Sequence, residues 1–195
     1  MQQPNHLNNQ AGEDKLTVFL TATLSSDDLM RELTGKPIQD RKDAILPGYD
    51  LVIQNIKQIP AGAQRLVRNS GWGDDFRSYN LTPGEGSIRG YKCIVTRDQW
   101  ERLKDWDLVD FGWFTEKEVK IITDPETNQE ERVLSIVMGE GQDYERKVDG
   151  YDFDPFLMPE EDTIKAAQRV RSEYDKRNGI NPEGVALASS KELEV

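Results

Sequence analysis

Apolar residues recur along this chain in two periods, and the alternation between them predicts its elements. "KLTVFLTATL", 15–24, reads as a first strand, apolar enough to lie centrally in a sheet. It runs straight into "SSDDLMRELTG", 25–35, where Leu29 and Leu33 share a helical face. Ser25 with Asp28 suggests a capping box there, and Gly35 a C-terminal stop. "DAILPGYDLVIQNI" carries a second strand, begun after a turn at Pro47-Gly48. From Lys57 to Gly86 the signals are those of loops: "IPAGAQ", "NSGWGDD" and "NLTPGEG". A connection that long inside a compact domain is usually functional or mobile.

"SIRGYKCIVT" is a third strand, bent at Gly90, and "TRDQWERLKDWD" a helix with a Thr96/Gln99 capping box. "WFTEKEVKIIT" and "ERVLSIVMG" form a hairpin around the turn "DPETNQ". After Gly141 the chain turns acidic and aromatic without periodicity. "PEEDTIKAAQRVRSEYDKRNG" then predicts a helix, with acids at its start, Lys and Arg at its end, and a stripe of Ile164, Ala167, Val170 and Tyr174. The expected organisation is a polar tail over 1–14, a domain over 15–141, an acidic arm and helix over 142–180, and a tail over 181–195. The fold class is α+β: a small mixed, barrel-like sheet with short flanking helices and a C-terminal helical extension.

Composition narrows the function classes. The 195 residues carry a net charge of −11 with no basic cluster, which speaks against nucleic acid and an anionic membrane surface as partners. No apolar run approaches the roughly 20 residues that span a bilayer, and the N-terminus lacks a signal-peptide pattern, so a cytoplasmic protein is expected. Cys93 is the only cysteine and His6 the only histidine, so no disulfide, zinc site or histidine-based catalysis is expected. No cofactor is implied. "GWGDD" and "DGYDFDP" resemble calcium loops but lack EF-hand spacing. Cys93 reads as a small buried hydrophobe. Trp100, Trp106, Phe111, Trp113 and Phe114 read as core and rim packing, with an aromatic wall for a flat ligand as the sharper alternative. Trp72, on a Gly- and Asp-rich loop, suggests a lid or a partner contact.

The order of these elements, with "TATL" closing the first strand, "IRGY" in a later one and "L-K-D-W-D" ending a helix, resembles the gamma-glutamylcyclotransferase-like (AIG2-like, BtrG-like) superfamily over roughly residues 16–140. In that family the first strand ends in Tyr-Gly-(Ser/Thr)-Leu, which falls here on Thr21, Ala22, Thr23 and Leu24. The glycine-bearing strand motif falls on Ile88, Gly90 and Tyr91, with Arg89 between the first two. The helix motif Leu-Asp-x-x-Glu, whose glutamate is the general acid/base, falls on Leu103 to Asp107. The later tyrosine falls near Trp113 and its arginine near Thr115.

The resemblance implies a site between Thr21–Leu24, Arg89-Gly90, Trp113 and Asp107. Its reaction is intramolecular: the α-amine of a γ-glutamyl group attacks its own side-chain carbonyl and releases an amine and 5-oxoproline. Asp107 would be the general acid/base, with Asp110 as a substitute. Four family positions are changed, at Thr21, Ala22, Asp107 and Thr115. They predict a divergent member that binds a small anionic or amino-acid-like ligand. Two alternatives stand beside it: an active γ-glutamyl(amine) cyclotransferase, and a protein-interaction module that works through residues 142–178.

Overall fold

A computed structural model of the chain describes residues 14–180; the expected tail over 1–14, all but Asp14, the expected tail over 181–195, and His6 lie outside the described residues. Six strands and four α-helices follow in the order β1 (Lys15–Leu20), α1 (Asp27–Thr34), β2 (Gln39–Asn55), α2 (Ala61–Asn69), β3 (Arg77–Thr96), α3 (Arg97–Trp106), β4 (Phe114–Asp124), β5 (Gln129–Met138), β6 (Arg146–Val148) and α4 (Glu160–Arg177). The strand order is β3-β1-β5-β4-β2-β6, and β3 pairs again with β2. That second pairing closes five strands into a mixed barrel and leaves β6 as an addition to its wall. The one parallel contact joins β1 to β5, at Val18 and Leu134.

The alternation of side chains along each strand divides the core in two. Phe19 points into the barrel, where it meets Leu46 and Leu51 of β2, Ile88 of β3, Ile121 of β4 and Val137 of β5. Its neighbours Val18 and Leu20 face outward, against Leu29, Met30 and Leu33 of α1 and Trp100 and Leu103 of α3. The α1 cap lies one residue beyond the expected Ser25: Ser26 Oγ accepts from Leu29 N at 3.2 Å. Gly35 ends α1 in the left-handed conformation. The Thr96/Gln99 capping box of α3 is present as read from the sequence, and so is the β4–β5 hairpin.

The long loop expected over 57–86 is instead α2 followed by the first half of β3. Gly62 and the polar residues of "AGAQRLVRN" mask the single apolar edge, Ala63 and Val67, that α2 buries. In β3, "TPGEG" reads as a turn yet runs as strand opposite β2. The register shifts between Pro47, opposite Ser87, and Tyr49, opposite Pro83, so residues 84–86 of β3 bulge against Gly48, and Pro47-Gly48 lies within β2 and not in a turn before it. Asp50 lies over the backbone of Gly84 and Gly86, where any Cβ would strike its carboxylate, and its Oδ1 accepts Gly86 N at 3.1 Å. The glycines that look like a turn make room for a side chain.

Residues 142–180 wrap the barrel. Glu145 N donates to Ile53 O at 2.7 Å and Arg89 N to Gly150 O at 2.9 Å. Phe153 packs edge-on to Tyr79, with ring centroids 5.7 Å apart. Helix α4 lies on α1 and α3, where Asp175 sits 2.7 Å from the buried Arg102 and Arg177 forks onto both oxygens of Asp105 at 2.7 Å.

Gly90 lets β3 pass close to the end of β1. A Cβ there would lie 2.5 Å from Leu20 O and 2.5 Å from the Phe19 ring. Overpacking of this kind costs about 1–3 kcal/mol, so Gly90→Ala is expected to lower the urea midpoint by at least that equivalent. An unchanged midpoint would mean that the barrel wall yields freely at Phe19.

Candidate functional site

The β1 strand ends where its neighbours diverge, and the chain enters a short 3-10 turn over Ala22–Ser25. Three hydroxyls pin this turn: Thr21 Oγ1 donates to Arg89 O at 2.7 Å, Thr23 Oγ1 to Pro155 O at 2.9 Å, and Ser25 Oγ to Ala22 O at 2.6 Å. The N–H groups of Ala22 and Thr23 open the turn and receive no acceptor from it. Ala22 has φ +50°, in the left-handed region. An L-residue is held there at a cost of about 1–2 kcal/mol. The backbone conformation that glycine supplies at low cost is thus kept by an alanine under strain.

Across a cavity of about 150 Å³, to which Thr21, Ala22, Thr23 and Leu24 all contribute, stands Asp107. It caps the C-terminus of α3, its N–H bonded to Leu103 O at 3.0 Å. The next residue, Leu108, is also left-handed, with φ +51°. Two non-glycine residues in this conformation therefore border one cavity, a concentration of strain that is usual at functional sites. Asp107 is only 8% exposed. Burial alone acts on its carboxyl and pushes its pKa up to about 8; no cation or donor among the described residues offsets the desolvation. A partnerless carboxyl in an apolar setting at a helix C-terminus is costly on both counts.

The structure brings Trp113 to the same cavity, where it is held by a bond from Nε1 to Gln54 Oε1 at 2.9 Å. The same oxygen accepts from Asn80 Nδ2 at 2.8 Å. Gln54 is fully buried and spends its own amide hydrogens on Gln142 Oε1 and Asp143 O. Asn80 and Ser135 also line the cavity, and nothing in the local sequence marks either one: each is a polar residue on a strand, and only barrel closure turns it inward. Arg77 lines it too, but is occupied by Glu145 at 2.8 Å and by Phe76 O at 2.9 Å.

Arg89 and Gly90 are placed differently from the expectation. They line a second cavity with Tyr91, Phe153 and Pro155, which shares Thr21 with the first. Arg89 meets the site loop through its backbone carbonyl, while its exposed guanidinium lies 5.4 Å from the Phe153 ring. Asp110 is exposed and outside the lining, and Thr115 is outside it as well. Trp72 lines the cavity beside Phe76, centroids 5.6 Å apart. Trp100, Trp113 and Phe114 are core, whereas Phe111 stands 41% exposed. Cys93 is buried and its thiol is pushed up to about 11. Among the described residues no cluster of metal-ligating side chains occurs, and no helix is long and apolar enough to cross a membrane.

No family model matches the sequence, and no curated protein matches it. Solved structures do match in fold. The structure of a gamma-glutamyl cyclotransferase aligns with a TM-score of 0.53 at 13% identity, over 92% of this chain and 95% of that one. The crystal structure of an uncharacterized protein from Homo sapiens aligns with a TM-score of 0.50 at 14% identity, over 92% and 96%. The chain has the gamma-glutamyl cyclotransferase-like fold.

Two outcomes follow from this geometry. Ala22→Gly removes the left-handed strain and adds freedom to the unfolded chain, which partly offsets the gain. The net expectation is a stabilisation of up to about 1 kcal/mol, read from urea unfolding; a loss of stability would contradict the strain. The second concerns Asp107. Its folded pKa lies above the unfolded value near 3.9, so the native state holds more protons between about pH 4 and 8 and stability falls as pH rises through that window. In Asp107→Asn that part of the decline should vanish, leaving the variant more stable than the parent at pH 9. Parallel stability–pH curves would show that the carboxyl is solvated.

Proposed function

We propose that the Asp107 cavity binds a γ-glutamyl amine and cyclises it to 5-oxoproline, with Asp107 as general acid/base. The observation that carries this reading is the partnerless, buried carboxyl of Asp107 in a residue that lines one cavity with the strained Thr21–Leu24 loop. A merely structural carboxylate would be expected to have a cation or amide donors. This one borders a cavity instead.

The protonation state supports the assignment. At neutral pH the empty site holds Asp107 largely neutral. An α-ammonium brought beside it favours the carboxylate, so Asp107 gives its own proton to solvent as the substrate binds, and the carboxylate then accepts one from that ammonium. The freed amine attacks the γ-carbonyl carbon, a C–N bond forms, and the carbonyl oxygen becomes an oxyanion. The N–H groups of Ala22 and Thr23 are the available donors for an anionic oxygen at this end of the cavity. As the original amide C–N bond breaks, the proton held by Asp107 passes to the departing nitrogen. A second proton, from the ring nitrogen, follows the same route, and the amine leaves as an ammonium beside 5-oxoproline. No redox partner or metal enters the balance.

Aspartate is one methylene shorter than glutamate. In this fold the shortfall is compatible with function because Asp107 is the C-cap residue just past α3 and Leu108, left-handed, turns the chain after it. Release of 5-oxoproline from γ-glutamyl amines is the test. Asp107→Asn should lower kcat by roughly 10²–10⁴, the usual weight of a general acid/base, with the fold intact by circular dichroism. In the parent, kcat/KM should rise with pH as Asp107 ionises in the free protein, levelling off above pH 8. Full activity in the asparagine variant would remove Asp107 from the chemistry. Failure to release 5-oxoproline from any γ-glutamyl amine would remove the reaction and leave a ligand-binding cavity.

A further inference from the structure

The cavity lining comes from two parts of the fold with different chemistry. The barrel supplies polar groups: the Thr21–Leu24 loop, Asn80 and Ser135, with Asp107 facing them. The cover supplies an apolar wall: Leu66 and Trp72 from α2 and its following loop, Trp106 and Leu108 around the end of α3, Met158 from the arm and Val170 from α4. Beyond Asp107, the only permanently charged side chain in the lining is Arg77, and Glu145 already neutralises it at 2.8 Å. The cover therefore has no counter-charge to offer.

We infer that the amine released by this site is uncharged apart from its reacting nitrogen, and apolar: an aryl or branched alkyl amine held against the Trp72–Trp106–Val170 wall. This rests on the cyclotransferase reading for its chemistry, and on the lining alone for its ligand class. A polar γ-glutamyl head group uses the ammonium acceptor and the loop donors of the barrel end. The cover adds the hydroxyls of Ser70 and Thr163, each already donating to a backbone carbonyl four residues back, and no charged partner for a second ammonium or carboxylate on the amine side. Burying such a charge without a partner costs several kcal/mol, whereas an aromatic or branched chain gains from every apolar area it covers. The arm and α4 are part of the discrimination, because Met158 and Val170 come from them. A segment that reads from the sequence as an appendage completes the pocket.

The experiment is a substrate panel on the full chain: γ-glutamylanilide and γ-glutamylisobutylamide against Nε-γ-glutamyl-lysine and γ-glutamyl-glutamate. Release of 5-oxoproline is measured for each, and the same compounds are titrated into Asp107→Asn by tryptophan fluorescence. The apolar amides should exceed the charged ones by at least about 100-fold in kcat/KM and be the tighter ligands of the variant. Equal or better turnover of the charged substrates overturns the ligand class and leaves the acid–base reading standing. Preferential binding of the apolar amides with no 5-oxoproline from any compound sustains the ligand class and sinks the chemistry. Absence of both binding and turnover across the panel overturns both.

Discussion

Closure of the barrel by the β2–β3 pairing is the constraint on which the rest of this structure depends. The two strands run side by side from Gln39 and Ile94 to Asn55 and Arg77, a span too long to stay flat. The bulge of residues 84–86 against Gly48 and the bare backbone of Gly84 and Gly86 under Asp50 let them coil. Gly90 then allows Phe19 to cross the interior at van der Waals contact. With the barrel closed, β1 can continue past its last partner and release the Thr21–Leu24 turn at the rim.

The site follows from that rim. Its loop is fixed from outside by Arg89 O and Pro155 O, and from within by the left-handed turn at Ala22. Asp107 is delivered by α3, whose own position is set by Trp100 and Leu103 in the outer core and by the ionic contacts of Arg102 and Asp105 with α4. Strain at Ala22 and Leu108 and a partnerless carboxyl between them are expensive, and the packing of two cores holds them in place. Such unpaid local costs belong to sites that complete themselves with a ligand.

The C-terminal arm changes what the cavity is. Phe153 and Met158 lie against the barrel and its following loop rather than in solvent, with Tyr144 and Tyr151 the exposed aromatics of this segment. Helix α4 closes over α1 and α3 and brings Val170 to the cavity. The apolar cover and the polar barrel end are thereby joined in one lining, with the buried carboxyl of Asp107 between them.

The sequence by itself determined the elements that carry their own signal: the β1 strand, the β4–β5 hairpin, the Thr96/Gln99 cap of α3, the Gly35 stop and the long C-terminal helix. Each depends on local periodicity or a capping group within a few residues. Thr21–Leu24 and Asp107 became candidates through the family motifs that they resemble, not through local periodicity. Tertiary structure alone decided the rest. Helix α2 lacks a broad apolar face, and "TPGEG" is strand only because Asp50 lies over its glycines. Asn80, Ser135 and Gln54 became site and support residues through alternation set by barrel register. Arg89 was drawn to the other side of the loop, its carbonyl used and its side chain spent on Phe153. Local sequence fixes what a segment prefers; which polar side chains meet in one cavity depends on strand register and closure, set by residues far apart in the chain.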